Sequence, residues 1–122
     1  MKLGPALVMT PDLDAALAFY GEVLGLPLRE RAEDQLVFDV GASSLHVFRC
    51  QKQRTEIQHG EDAASVVTFE VQCLDAEMAR LRARGVTFLH ESPGRNALAG
   101  LSYAAFLAPG GNVHELVERV RS

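Results

Sequence analysis

The hydrophobic positions of the chain recur at two different spacings, and the order of these spacings predicts its elements. A short apolar run, Ala6–Met9, precedes a stretch in which apolar residues recur three and four positions apart, as in a helix. Asp12 is a favourable N-terminal cap for this helix, and Gly25 is a favourable stop. Three strand-like runs follow: Leu28–Ala32, Gln35–Val40 and Ser44–Cys50. The first part of the chain is therefore predicted as a strand, a helix and three further strands.

The same order begins again after a polar segment. Residues 51–63 are polar and charged with little periodicity, and we interpret them as a linker. A β-rich run at Ser65–Val71 is followed by a helical pattern that ends at Gly85. Three more strands are predicted at Val86–Leu89, Ser102–Leu107 and Asn112–Val117. The chain, residues 1–122, is thus predicted to be a single domain of two βαβββ modules, about residues 1–50 and 64–119.

The second module carries an insertion between its predicted strands. The segment His90–Leu101 is rich in Gly, Pro and polar residues, a composition typical of a loop. A long loop in a compact repeat is a candidate for covering a ligand, and a plain surface insertion is an equally good interpretation.

The composition of the chain argues against several classes of function. Apolar residues make up 48% and charged residues 23% of the 122 residues, as in an ordinary globular domain. The formal charge of −4 argues against nucleic-acid binding, because Lys and Arg are not in excess to neutralise phosphates. We recognise neither a membrane span nor a signal peptide in the sequence. Two cysteines form no disulfide framework, so we expect a cytoplasmic protein.

Two segments carry a resemblance to a known family. PDLDAALAFYGEVLGLPL in the first module and FLAPGGNVHELVE near the end, together with the repeat, resemble the vicinal oxygen chelate superfamily. This superfamily includes glyoxalase I, the fosfomycin and bleomycin resistance proteins and the extradiol dioxygenases. The resemblance implies an α+β fold in which two βαβββ modules form a curved, mostly antiparallel eight-strand sheet with a concave cup and helices on the outer face. It also implies a homodimer, with the cup formed within one chain or between modules of two chains.

The resemblance further implies four symmetry-related positions at which many relatives hold a divalent metal in the cup. Carried over to this sequence, these positions are Pro5, His46, Val66 and Glu115. Pro5 and Val66 cannot ligate a metal, whereas a catalytic site generally takes three protein ligands. We therefore expect no cofactor. The alternative is a divalent metal held by His46, Glu115 and an unorthodox third ligand.

Alternation along the strands adds residues to the predicted cup. Glu70 shares a face with Val66 but lies farther along its strand, so it fits only a displaced site. The predicted pocket residues are His46, Glu115, Met9, Phe48, Thr68, Glu70 and Tyr103. Such a pocket is mostly apolar with a few polar groups, as small-molecule sites usually are, although plain packing explains Met9 and Phe48 equally well. His114 is predicted to face the helix side as a core or interface residue.

Three functions follow as hypotheses from these residues. The preferred one is a small-molecule-binding protein of the glyoxalase/bleomycin-resistance type, which sequesters its ligand without the family's standard catalytic metal. The first alternative is a divalent-metal-dependent lyase, isomerase, thiol transferase or dioxygenase with a noncanonical site on His46 and Glu115. The second alternative is an accessory or regulatory domain without chemistry. Because the chain has no Trp, we expect a ligand that is smaller or more aliphatic than a large flat drug.

Overall fold

A computed structural model describes residues 1–51 and 65–120 of the chain. The predicted linker lies outside these ranges, apart from Gln51. The described residues form eight strands and divide into two compact units. Unit 1 contains residues 1–51 together with Pro109–Asn112, and unit 2 contains residues 65–108 and 113–120. Within these ranges, none of the helices combines the length and the apolar character needed to cross a membrane.

Unit 1 is a four-stranded sheet with a helix packed on one face. Its strands, in the order β1-β4-β3-β2, are β1 (Ala6–Thr10), β2 (Leu28–Arg31), β3 (Gln35–Val40) and β4 (Ser43–Arg49). β1 runs parallel to β4, whereas β3 is antiparallel to both of its neighbours. The side chains buried beneath the helix are Val8, Leu36, Phe38, Leu45 and Val47. The rings of Tyr20 and Phe38, both fully buried, have centroids 5.8 Å apart and join helix to sheet.

The helix of unit 1 begins and ends as predicted but changes its winding. Helix α1 (Leu13–Ala16) starts after Asp12, whose Oδ1 accepts a hydrogen bond from the backbone N–H of Ala15 at 3.0 Å. Leu17–Val23 continues it as a π-helix, in which hydrogen bonds reach one residue farther back than in an α-helix. Gly25 then adopts a φ of 78° and ends the helix, as predicted. The apolar spacing does not reveal the wider winding.

The turn Pro109–Asn112, which follows β7 of unit 2 in the sequence, belongs to unit 1. The side-chain amide of Asn112 donates to the carbonyl of Met9 at 2.8 Å and to that of Pro109 at 2.9 Å. Gly110, with a φ of 81°, lies so close to Thr10 that an added Cβ would stand 2.8 Å from the Thr10 Oγ1. This turn therefore requires glycine for two reasons, its backbone conformation and the contact with β1.

Unit 2 repeats the order of strands and helix. Its strands, in the order β5-β8-β7-β6, are β5 (Val67–Glu70), β6 (Gly94–Asn96), β7 (Leu101–Ala108) and β8 (Asn112–Arg119). β5 runs parallel to β8, as β1 does to β4. Helix α2 (Leu74–Ala83) buries Leu74, Met78 and Leu81 in a helical pattern, and Gly85 follows it with a φ of 89°. The prediction of an α+β chain of two βαβββ modules with eight strands is confirmed, and hydrogen bonding groups the strands into two sheets of four.

The strand after α2 differs from the prediction. The segment Val86–Leu89 joins the sheet only through an isolated bridge from Phe88 to Phe106. β6 lies instead inside His90–Leu101, which the composition predicted as a loop, and pairs Gly94 with Tyr103. Phe88 and β6 both pair with β7, so two short segments stand where the sequence predicted one strand. Local composition missed β6 because β7 imposes the extended backbone from outside the segment.

Candidate functional site

The sheet face of unit 1 that points away from the helix carries three of the predicted pocket residues. Met9, His46 and Phe48 alternate with buried core residues along β1 and β4 and therefore point to the opposite face. In the parallel register, Leu7 lies beside His46 and Met9 lies beside Phe48. Leu7 and Met9 are 58% and 48% exposed, respectively. We call Leu7, Met9, His46 and Phe48 the open face of unit 1.

His46 is oriented by its own strand. The Oγ of Ser44 lies 3.2 Å from the Nε2 of His46, within hydrogen-bonding distance. The imidazole stacks with the ring of Phe48 at a centroid distance of 6.5 Å, with planes 22° apart. Sequence reasoning missed Ser44, although its position two residues before His46 places it on the same face of the strand.

The first-strand position that the resemblance implied does not lie beside His46. Pro5 precedes β1 by one residue, and Leu7 is in register with His46. Neither Pro5 nor Leu7 has a side-chain atom that could ligate a metal. The open face of unit 1 therefore offers one histidine, supported by a hydroxyl and surrounded by apolar groups.

Unit 2 places its predicted pocket residues on the sheet face opposite its core. Thr68 is in register with Glu115, whereas Val66 precedes β5 by one residue. Glu115 follows the buried His114 and so points away from it. Tyr103 lies over Gly94, where an added Cβ would stand 2.5 Å from the ring. Each unit thus displays its predicted residues on one face of its own sheet.

Glu70 has a partner that the sequence did not suggest. Its Oε1 accepts a hydrogen bond from the Nε of Arg119 at 2.8 Å, and both side chains are more than half exposed. Arg119 is two residues beyond Val117, the register partner of Glu70, so it lies on the same face. The carboxylate of Glu70 is therefore engaged in an ion pair.

His114 is a core residue, as predicted. It is 2% exposed, and its ring packs edge-on against Phe69 and Phe106, with centroids 5.7 and 5.8 Å away. Burial disfavours the charged imidazolium and lowers the pKa of His114 from 6.5 to about 4. The histidine next to Glu115 is consequently neutral at physiological pH and belongs to the packing of unit 2.

A charged pocket lies at the start of α1 in unit 1. It has a volume of about 580 Å³, and its charged lining residues are Asp12, Asp14, Arg31, Glu33 and Arg49. Arg31 pairs with Asp14 at 3.4 Å, and Arg49 donates to the backbone carbonyl of Glu33. The side chain of Arg49 is exposed. Both arginines of this pocket are thus engaged by neighbouring groups of the protein. None of the predicted pocket residues lines this cavity.

The donor set does not fit the metal site of the family. Across residues 1–51 and 65–120, no three side chains of His, Cys, Asp or Glu come together in a group that could hold a metal ion. A catalytic metal generally needs three protein ligands. His46 is accompanied by Ser44 and Leu7, and Glu115 by Thr68.

Comparisons with known proteins agree with this architecture. A glyoxalase/bleomycin resistance protein/dioxygenase from Nocardioides is similar with a TM-score of 0.76 at 21% identity, over 100% of this chain and 85% of that one. A protein of the same description from Alicyclobacillus acidocaldarius has a TM-score of 0.77 at 20% identity, over 98% and 92% of the two chains. Lactoylglutathione lyase from Agrobacterium tumefaciens has a TM-score of 0.71 at 24% identity, over 96% and 92%. At these identities the likeness shows the fold alone.

Family membership follows from the sequence itself. No curated protein matches the chain. The sequence model of the Glyoxalase/Bleomycin resistance protein/Dioxygenase superfamily, however, matches residues 2–116, which is nearly the whole chain. The match spans both βαβββ modules and agrees with the topology of the two sheets. The chain therefore belongs to the Glyoxalase/Bleomycin resistance protein/Dioxygenase superfamily.

Proposed function

We propose that this protein binds a small molecule, in the manner of the bleomycin-resistance branch, and works without the family's standard catalytic metal. The observation that carries the proposal is the composition of the open face of unit 1. Leu7 and Met9 leave about half of their surface exposed beside a half-buried Phe48, with His46 as a polar group among them. Small-molecule sites are typically apolar with a few placed polar groups.

In this proposal His46 orients the ligand and does not hold a metal. A neutral imidazole has one donor and one acceptor nitrogen. Nε2 faces the hydroxyl of Ser44 at 3.2 Å, so Nδ1 is the atom directed to a polar group of the ligand. A ligand that covers Leu7 and Met9 would remove water from around this contact, which would strengthen it.

Unit 2 carries the other predicted pocket residues on a face of its own sheet. Thr68, Glu70, Tyr103 and Glu115 supply hydroxyl and carboxylate groups on the face opposite the core. We further propose that the protein is a cytoplasmic homodimer, as its family resemblance and composition suggest.

A ligand screen by thermal unfolding tests the proposal. A compound that binds only the folded state raises its apparent stability, by about 2.7 kcal/mol when present at a hundred times its Kd. The probes are small aromatic and aliphatic acids, alcohols and amides. We expect several of them to raise the melting temperature of the wild-type chain.

Two charge substitutions locate the binding face. Met9→Glu places a carboxylate on the open face and should abolish the thermal shift. Leu28→Glu is the matched control, because Leu28 is 41% exposed but is in register with the core residue Phe38. It should keep the shift. A screen without hits, or equal loss in both variants, would contradict the proposal and favour an accessory domain.

The metal-dependent alternative gives a different result in the same assay. Salts of zinc, nickel, manganese or iron would then raise the melting temperature, and His46→Ala would remove that effect. Our proposal predicts no specific stabilisation by these ions.

A further inference from the structure

The charged pocket at the start of α1 is bounded by three separate parts of unit 1. Residues 11–14 follow β1 and enter α1, residues 31–33 lie at the end of β2, and Arg49 ends β4. The backbone N–H of Arg49 donates to the carbonyl of Asp34 at 2.9 Å, which joins the end of β4 to the turn after β2. The cavity of about 580 Å³ therefore lies between hydrogen-bonded parts of one sheet. Its volume is within the range of about 300–1,000 Å³ that is typical of small-molecule sites.

The charged pocket presents groups of both signs. Its negative groups are the carboxylates of Asp12, Asp14 and Glu33, and its positive groups are the guanidinium groups of Arg31 and Arg49. An anion would meet three carboxylates in this pocket, and a plain cation would meet two guanidinium groups. A ligand that carries both charges can place each of them beside an opposite charge.

The contacts within the pocket leave these groups able to bind a ligand. The Nη2 of Arg31 lies 3.4 Å from the Oδ1 of Asp14, farther than the about 2.7–2.9 Å of a good charge-assisted hydrogen bond. The two side chains are 56% and 89% exposed, and such exposed pairs contribute little to stability, so this pair can exchange partners. Arg49 donates to the backbone carbonyl of Glu33, and this contact does not use the Glu33 carboxylate.

We infer that the charged pocket binds a small zwitterion, an α-amino acid, as a second ligand site of unit 1. One carbon separates the ammonium and carboxylate groups of an α-amino acid, which suits two opposite charges as close as Arg31 and Asp14. The ligand carboxylate accepts from Arg31, and the ligand ammonium donates to Asp14. The apolar part of the lining, Pro11, Leu13 and Ala32, favours an aliphatic side chain.

Three matched compounds test this site. L-leucine carries both charges at pH 7, 3-methylbutylamine lacks its carboxylate, and 4-methylpentanoate lacks its ammonium group. Each is titrated into the full-length protein by isothermal titration calorimetry. We expect L-leucine to bind about ten-fold or more tightly than either analogue, because each analogue loses a charge-assisted hydrogen bond. In NMR spectra of the backbone amides, L-leucine should shift the signals of Asp14, Ala32 and Glu33.

Two neighbouring arginines of β2 provide a variant and its control. Arg31→Gln removes a guanidinium group from the pocket and should weaken L-leucine binding about ten-fold. Arg29→Gln is the matched control, because Arg29 is 50% exposed and pairs with Asp39 but does not line the pocket. It should leave the affinity unchanged. Asp14→Asn and Asp39→Asn repeat this comparison for the carboxylates.

The outcomes separate this site from the open face. Absence of L-leucine binding, equal affinity for L-leucine and one of its analogues, or equal losses in Arg31→Gln and Arg29→Gln would overturn the amino-acid site. None of these results bears on the thermal screen of the open face. Met9→Glu should retain L-leucine binding, because Met9 does not line the charged pocket. Loss of L-leucine binding in Met9→Glu, with amide shifts at the open face, would place the ligand there and overturn the second site.

Discussion

The Oε1 of Glu118 accepts a hydrogen bond from the backbone N–H of Leu74 at 2.6 Å, and so strand β8 caps helix α2. The first N–H groups of a helix have no partner within it, and a carboxylate there also suits the helix dipole. In the first module Asp12 caps its own helix. Cys73 holds the equivalent place in the second module, and within the described residues its side chain makes no capping hydrogen bond. The two modules thus cap their helices from different parts of the sequence.

Removing the Glu118 cap should destabilise the second module. We expect Glu118→Ala to lower the free energy of unfolding by about 1 kcal/mol, as measured by urea denaturation. Adding Cys73→Asp to that variant should restore most of the loss, because aspartate can cap the helix from the position that Asp12 occupies in the first module.

A control separates capping from general surface effects. Glu70→Ala removes an exposed carboxylate from its pair with Arg119 and should cost at most about 1 kcal/mol, a loss that Cys73→Asp should not restore. Equal stabilisation by Cys73→Asp in the wild-type and Glu118→Ala backgrounds would show that Glu118 does not act as the cap.

Buried His114 should make stability depend on pH. Its pKa is lowered to about 4 in the folded chain, so between pH 6.5 and about 4 the unfolded chain binds a proton that the folded chain does not. The free energy of unfolding is therefore unaffected by His114 above pH 6.5. It decreases as the pH falls from 6.5 to about 4, by at most about 3 kcal/mol. Urea denaturation at a series of pH values should show this slope, and His114→Gln should reduce it. Identical slopes for the two proteins would refute the assignment.

Alanine substitutions at three glycines distinguish the stability cost of backbone strain from that of steric crowding. Gly110→Ala places a Cβ at a φ of 81° and 2.8 Å from the Thr10 Oγ1, and should cost about 2–3 kcal/mol. Gly25 has a similar φ of 78° with open space around it, so Gly25→Ala should cost only about 1 kcal/mol. Gly4→Ala, which has neither problem, should be close to neutral. Equal losses at Gly110 and Gly25 would mean that the contact with Thr10 is unimportant.

Ser44 is predicted to act by positioning His46. Ser44→Ala removes the hydroxyl from the imidazole and should weaken binding of any hit from the ligand screen about two- to ten-fold, with little change in melting temperature. Ser43→Ala is the matched control, because Ser43 is exposed and alternates to the other face of β4. Isothermal titration calorimetry measures both. An unchanged affinity in Ser44→Ala would remove this residue from the site.

Local signals in the sequence were sufficient for much of the fold. Asp12 and Gly25 mark the ends of the first helix because capping depends on a few neighbouring atoms. His114 was assigned to the core correctly because side chains alternate strictly along a strand. The π-helical winding of Leu17–Val23 was missed, since its apolar positions also fit an α-helix.

Features that depend on distant partners were not predictable. β6 forms where β7 offers a pairing edge, although its own composition favours a loop. The cap of α2 comes from Glu118, far along the chain from Leu74. Leu7 was likewise not identified as the neighbour of His46, because the register between parallel strands is set by packing across the sheet.

The metal content of the protein tests the central claim most directly. Tag-free protein, purified without chelators, is analysed by elemental mass spectrometry before and after incubation with divalent metal salts and removal of the excess. We predict much less than one zinc, nickel, manganese or iron ion per chain in both samples. Near-stoichiometric metal that is lost in His46→Ala would contradict the account and establish a noncanonical metal site.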